Sequence, residues 1–271
     1  MPDATVTELF ADLSADVDGI LLFSPPASYY ERVAAASTPV IVVAIENDIE
    51  ADTFVELPLA FTDTVDQIQF GVDAAFRDGL VSEGDELLCV VSMFGDDLDT
   101  VSRVRATESD RSGVYDLFSN SRAEPGVIRD VLELAIELGK KGQKGEPVGA
   151  LFVVGDSGQV MNKSRPLSYN PFEKSHVHVG DPIVTVMLKE FSRLDGAFVV
   201  SDAGKIVSAY RYLEPAAEDV DIPKGLGARH MAAGAITQDT EATAIVLSES
   251  DGLVRAFKHG DLVLELDPEE Y

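Results

Sequence analysis

The sequence predicts an α/β protein of two domains, and three observations carry that expectation. Short apolar runs rich in β-branched residues alternate with stretches of helical spacing, the pattern of strands joined by crossover helices. A polar, irregular stretch, TESDRSGVYDLFSNSRAEPG (107–126), interrupts that alternation, so residues 1–122 and 123–271 are expected to form separate domains. With 271 residues, 45% of them hydrophobic, the chain has enough apolar material for two cores.

The elements follow in order. DGILLF (18–23) and PVIVVAI (39–45) read as buried strands, and the Ala-rich ASYYERVAAAS between them is long enough for a crossover helix, giving a βαβ unit. Thr64 to Gln67 matches a capping box, and Val65, Ile68, Val72, Ala75 and Phe76 recur at helical spacing, so 64–78 is expected to be an amphipathic helix. ELLCVVS (86–92) is a third strand. Beyond the polar divide, Val127, Ile128, Val131, Leu132, Ala135 and Leu138 form an apolar stripe, with Pro125 suited to the first turn and Gly139 to the stop. KKGQKGEP reads as a loop. GALFVVG (149–155) reads as a strand buried on both faces, and LDGAFVVSDAGKIVSAYRYL (194–213) as two strands around the turn SDAGK.

Charge bounds the function. The chain carries 48 acids against 21 bases, for a net charge of −27. Residues 1–125 hold 25 acids and 6 bases, and residues 126–271 hold all nine lysines and six of the twelve arginines. A polyanion gains no counterion-release affinity for duplex DNA, so that partner is excluded. So large a charge beside undiminished hydrophobic content fits a salt-rich cytoplasm, where self-repulsion is screened. The acidic N-terminus does not resemble a signal peptide, and no apolar run is long enough to span a membrane. The lone Cys89, inside an apolar run, suits a buried core position in a reducing, cytoplasmic compartment.

Four segments could carry chemistry. Asp195 precedes Gly196 and Ala197 at the mouth of a strand, where a backbone with little side chain lets a ligand approach. GLGARHMAAGAITQDT (225–240) leads glycines into a small-residue helix with Arg229 and His230 in its first turn and Lys224 just upstream, a good setting for phosphate. ATAIVLSESDGLVRAFKHG (242–260) ends a strand at Ser248-Glu249-Ser250, oxygen donors suited to a hard divalent cation, before a turn at Asp251-Gly252. His176 and His178 share one face of an expected strand, with no further nitrogen or sulfur ligand nearby, and read as exposed.

The helix at 64–78 followed by GLVSEGDELLCVVSMFG resembles, over about 35 residues, the C-terminal domain of pyruvate kinase, which implies an α/β sandwich of parallel strands and no catalysis. Asp195-Gly196-Ala197, then Gly227-Ala228-Arg229-His230, then Ser248-Glu249-Ser250 resemble, in order and spacing, the three motifs of the diadenylate cyclase domain. The likeness extends over about 126–268 and implies a mixed central sheet flanked by helices. An unrelated α/β domain in front, with no DNA-binding helix-hairpin-helix region behind, looks like the archaeal-type enzyme.

That resemblance implies condensation of two ATP into cyclic di-AMP with release of two pyrophosphates, by a face-to-face pair of protomers. Asp195 would bind metal and assist deprotonation of the attacking hydroxyl, and Gly196 and Ala197 would make room for the nucleotide. Leu213 would pack on the adenine, Gly227 would open the phosphate-binding helix, and Arg229 and His230 would neutralise the triphosphate. Glu249, with Ser248, would complete the phosphate and metal region, which calls for Mn²⁺ or Mg²⁺. Ala228 stands where threonine is common, Met231 where a second arginine is common, and Leu194 where some members carry a histidine. The departures at Ala228 and Met231 support the alternative of a nucleotide-binding sensor without turnover; a second alternative makes residues 1–125 the functional centre and the C-terminal half an assembly module.

Overall fold

The computed structural model describes residues 16–35, 37–58, 61, 63–95, 97–107, 117–118, 121–141, 148–191, 195–216, 223 and 225–270. The chain divides into two compact units, Met1–Ser112 and Gly113–Tyr271. This division falls ahead of the expected 122/123 boundary, because residues before 123 pack with the second unit. Leu117 and Phe118 are buried, the Ser121 hydroxyl lies 3.3 Å from that of Thr243, and Arg122 pairs with Asp202 at 3.2 Å. The KKGQKGEP loop lies largely outside the described residues.

In the first unit β1 (Gly19–Phe23), α1 (Ala27–Ala34) and β2 (Val40–Ala44) make the βαβ unit, with Ile20 opposite Val40 in a parallel ladder. They are joined by β3 (Phe54–Glu56), α2 (Thr64–Arg77), β4 (Glu86–Val91) and β5 (Thr100–Arg105), in the sheet order β3-β2-β1-β4-β5. Strands β1 to β4 run parallel, and β5 pairs antiparallel with β4. The link from β4 to β5, residues 92–99, is too short for a crossover helix, so the chain can only turn back. The expected parallel sandwich therefore carries an antiparallel edge. Cys89 is fully buried in β4, and burial pushes its thiol up to about 12.

Helix α2 starts one residue earlier than the capping box implied. The Asp63 carboxylate, not the Thr64 hydroxyl, accepts from the N–H groups of Val65 and Asp66, at 2.7 and 3.1 Å. Val65, expected on the apolar face, is consequently 56% exposed, while Val72 and Ala75 are buried. Gly71 lets the helix settle against β1, since a methyl there would meet the Phe23 ring at 2.7 Å.

The second unit holds α3 (Pro125–Lys141), β6 (Ala150–Val154), α4 (Ser157–Asn162), β7 (Ser164–Pro166), α5 (Pro182–Phe191), β8 (Ala197–Val200), β9 (Ile206–Leu213), α6 (Ala228–Asp239), β10 (Thr243–Leu247), β11 (Val254–Lys258) and β12 (Asp261–Leu266). Its mixed seven-stranded sheet runs β12-β11-β10-β6-β8-β9-β7, with β6 and β8 parallel and the remaining pairings antiparallel. Every residue of β6, β8, β10 and β11 is buried, as a sheet covered on both faces requires. Ala233 and Ile236 of α6 pack on Leu151, Val153 and Val246. On the other face the six residues of the apolar stripe of α3 are all buried. Gly139 does not end α3, which continues to Lys141. A side chain there would meet Pro268 at 2.8 Å and Leu247 at 3.2 Å, so the glycine serves close packing.

Candidate active site

Strand direction gathers the three motifs. Because β10 runs antiparallel to β6, and β6 parallel to β8, the C-terminal end of β10 lies beside the N-terminal ends of β6 and β8. Ser248 and Glu249 therefore meet the start of β6 and the approach to β8, and α6 packs its first turn across that same edge. A cavity of about 1000 Å³ opens there. Asp195, Gly196, Ala197, Leu213, Gly227, Arg229, His230, Ser248 and Glu249 all line it. Ser250 of the third motif also lines it, as do Leu151, Leu167, Arg211 and Tyr212, none of which the motifs singled out.

Asp195 is exposed, and among the described residues its carboxylate forms no hydrogen bond or ion pair. Gly196 has a reason beyond room for a ligand. Its φ is +108°, and a methyl there would lie 2.8 to 2.9 Å from the backbone of Tyr210 and Arg211, so β8 crosses β9 where only glycine fits. Ala197 and Leu213 belong to the core beneath the cavity.

Helix α6 begins at Gly227, whose carbonyl accepts from the N–H groups of His230 and Met231 and whose position carries no side-chain cap. The first N–H groups of the helix are thus left to the cavity, with the positive end of the helix dipole behind them. Arg229 Nη1 sits 3.1 Å from Glu249 Oε2. The pair is largely exposed, the Glu249 side chain at 61%, so it is worth about 0–1 kcal/mol and opens easily.

His230 departs from expectation. It is 5% exposed, its ring edge faces Phe257, and its Nε2 lies 3.4 Å from Nη1 of Arg255. A guanidinium only donates, so Nε2 accepts and the proton of the neutral ring sits on Nδ1. Burial first, and then the Arg255 charge, hold its pKa below the usual imidazole range. That shift opposes the expected sharing of charge with Arg229 at a triphosphate, and the neutral ring has a hydrogen bond to offer there instead. Arg255 itself donates to both carboxylate oxygens of Asp251, at 3.2 and 2.8 Å, and to Glu265 at 2.6 Å. The Arg255 hydrogen bond holds the Asp251 carboxyl well below the ordinary carboxylate range.

Asp195, Glu249 and the hydroxyls of Ser248 and Ser250, 3.1 Å apart, form a hard-oxygen donor set. Among the described residues no group of three His, Cys, Asp or Glu side chains converges. A donor set this sparse suits a cation held by one or two carboxylates together with substrate phosphates, the habit of Mg²⁺. His176 and His178 are exposed, and His178 makes only an isolated bridge to Lys205, so the strand expected for them does not form. Lys224 and Leu194 lie outside the described residues.

Comparison with known proteins decides the family. A protein of Haloferax volcanii named diadenylate cyclase is 70% identical over 268 residues, spanning 99% of this chain and 100% of that relative. The chain belongs to the diadenylate cyclase family. Within this membership, residues 3–126 match the family model described as "Diadenylate cyclase, N-terminal", and residues 137–262 the one described as "DisA bacterial checkpoint controller nucleotide-binding". The first match gives the N-terminal unit a family of its own, and the likeness to pyruvate kinase is not what identifies it. A diadenylate cyclase of Methanocaldococcus jannaschii is 40% identical over 205 residues, covering 74% of this chain and 66% of its own length. A cyclic di-AMP synthase of Bacillus subtilis is 36% identical over 87 residues, about a third of each chain. No described helix is long and apolar enough to cross a membrane.

Proposed function

We propose that this family member condenses two ATP molecules into cyclic di-AMP with release of two pyrophosphates. The observation that carries the reading is the single cavity into which the three separated motifs converge. Each 3′-hydroxyl attacks the α-phosphorus of the other nucleotide, so two new P–O bonds form as two bonds to pyrophosphate break. Asp195, exposed and unpaired among the described residues, takes the proton of the attacking hydroxyl. The free N–H groups of α6 and the Arg229 guanidinium hold the phosphates, and His230 donates its Nδ1 proton to a hydrogen bond. Gly196 and Ala197 leave the mouth of β8 open to the nucleotide, and Leu213 offers an apolar wall to the adenine.

Asp195 and Glu249 would hold Mn²⁺ or Mg²⁺ together with the substrate's phosphates, and such an ion supplies electrostatic stabilisation of the charge on the leaving pyrophosphate. Glu249 is bound to Arg229 at present, so substrate entry exchanges both partners of that pair. One set of the three motifs per chain and a symmetric product call for two protomers facing each other across a two-fold axis. The high negative charge suits a salt-rich cytoplasm, where the enzyme would stay folded at molar salt. The test is stoichiometry: ATP and Mn²⁺ in molar salt should yield two pyrophosphates per cyclic di-AMP, with specific activity falling on dilution as the pair dissociates. Pyrophosphate release without the cyclic product, or activity independent of dilution down to monomer, would overturn it.

A further inference from the structure

Gly149 lies just before β6, buried, and its φ is outside the left-handed region, so nothing in its own backbone asks for glycine. The surroundings do. A methyl built at Gly149 would lie 2.4 Å from Nη1 of Arg229, 3.0 Å from its Cζ, and 3.0 Å from Cβ of Glu249. The guanidinium thus rests in a notch left by the missing side chain, with Glu249 holding its outer edge at 3.1 Å. Both neighbours line the cavity, whereas Gly149 itself is not part of its wall.

We propose that Gly149 is a positioning residue for Arg229, keeping open the notch from which that guanidinium reaches the triphosphate. The proposal rests on the function assigned to Arg229 above. It accounts for a glycine just before a strand whose residues are all apolar, and it explains how one arginine, with no second one at Met231, is held in one place. The seat is fixed by shape on one side and by a carboxylate on the other. When Glu249 turns to a metal and phosphate replaces it, the notch remains, so the guanidinium keeps its direction.

The experiment is a double-mutant cycle of Gly149→Ala and Arg229→Ala. Alanine is compatible with the backbone at 149; the tightest contact is with the far end of a flexible side chain, and Cβ of Glu249 at 3.0 Å need give by only a few tenths of an ångström, so Gly149→Ala should unfold within about 4 °C of the parent. The guanidinium must move by about 1 Å to restore ordinary contact, and a displacement of that size costs on the order of 100-fold in kcat/KM. The loss should fall mainly on KM for ATP, and Gly149→Ala should add nothing further once Arg229 is alanine. Parental kcat/KM in Gly149→Ala, or an equal loss in the Arg229→Ala background, would overturn the proposal. A crystal structure of Gly149→Ala decides it independently of turnover: a guanidinium still in its original seat contradicts the proposal, and a displaced one supports it. If the parent forms no cyclic di-AMP, the functional reading fails, while the displacement still reports on the notch.

Discussion

Replacing Gly196 with alanine should damage the fold itself, in contrast to the same change at Gly149. At Gly196 two costs combine. The φ of +108° is one that L residues rarely adopt, a strain of about 1–3 kcal/mol. The new methyl would also lie 2.8 Å from the Tyr210 carbonyl carbon and 2.9 Å from the Arg211 nitrogen, backbone atoms of a buried strand that cannot swing aside. Overpacking of that kind costs about 1–3 kcal/mol more, for a total of roughly 2–6 kcal/mol. A unit of this size loses about 2–4 °C per kcal/mol, so the midpoint should fall by roughly 4–24 °C. The assay is thermal unfolding followed by circular dichroism at molar salt, with Gly149→Ala alongside as the control expected to stay near the parent. Since Asp195 is the next residue, activity should be lost below the new midpoint as well. A Gly196→Ala protein that unfolds with the parent would refute the reasoning that the β8–β9 crossing demands glycine.

Burial is the main cause of the lowered His230 pKa and the Arg255 charge the second; Arg255→Met removes that charge and its hydrogen bond while leaving Asp251 and Glu265 in place, so the His230 pKa should rise. Because the folded value now lies below the ordinary 6.5, His230 contributes stability that is present above that value and lost as pH falls through the folded pKa. In the variant this acid loss should shrink, and an unchanged imidazole titration by NMR would contradict the assignment. The same change should cost about 1–3 kcal/mol, less than breaking a fully buried pair, because Asp251 and Glu265 are about half exposed and regain water. Asp63→Ala should lower stability by about 1 kcal/mol through the loss of the α2 cap, with cyclase activity unchanged at temperatures where the protein is folded. Cys89, buried and with its thiol pushed up to about 12, should resist thiol reagents until the first unit unfolds. Labelling of native protein at the rate of a free thiol would show the strand placement to be wrong.

Much of this molecule was legible in its sequence because the informative residues are buried. The runs ILLF, VIVVA, LLCVV and ALFVV lie in central strands whose β-branched content matches burial on both faces. The weaker elements carry no such mark. Strand β3 is three residues long, and β5, TVSRVR, is an edge whose alternation is diluted by polar residues. The short α4 and β7 exist through tertiary contacts, with the Arg211 side chain bonding Ser164 and the carbonyl of Met161. At the site, motif residues were readable because each sits at a strand end or helix start, where chemistry and chain punctuation coincide. The state of His230 was not readable, since its lowered pKa comes first from burial and then from Arg255, 25 positions away, both set by the packing of α6 on β11. The role of Gly149 was hidden for the same reason: a notch is a property of what crosses it. That residues 126–271 hold 15 of the 21 bases was readable, and the structure adds that one of them, Arg229, faces the cavity from the start of α6.

The most direct measurement is chromatography of the products formed from ATP and Mn²⁺ at molar salt by the purified full chain and by its Asp195→Asn variant, side by side. Cyclic di-AMP from the parent and none from the variant is the expected result. No cyclic product from the parent across Mn²⁺, Mg²⁺ and a range of salt, or equal product from the variant, would contradict the assignment of this cavity as a diadenylate cyclase site.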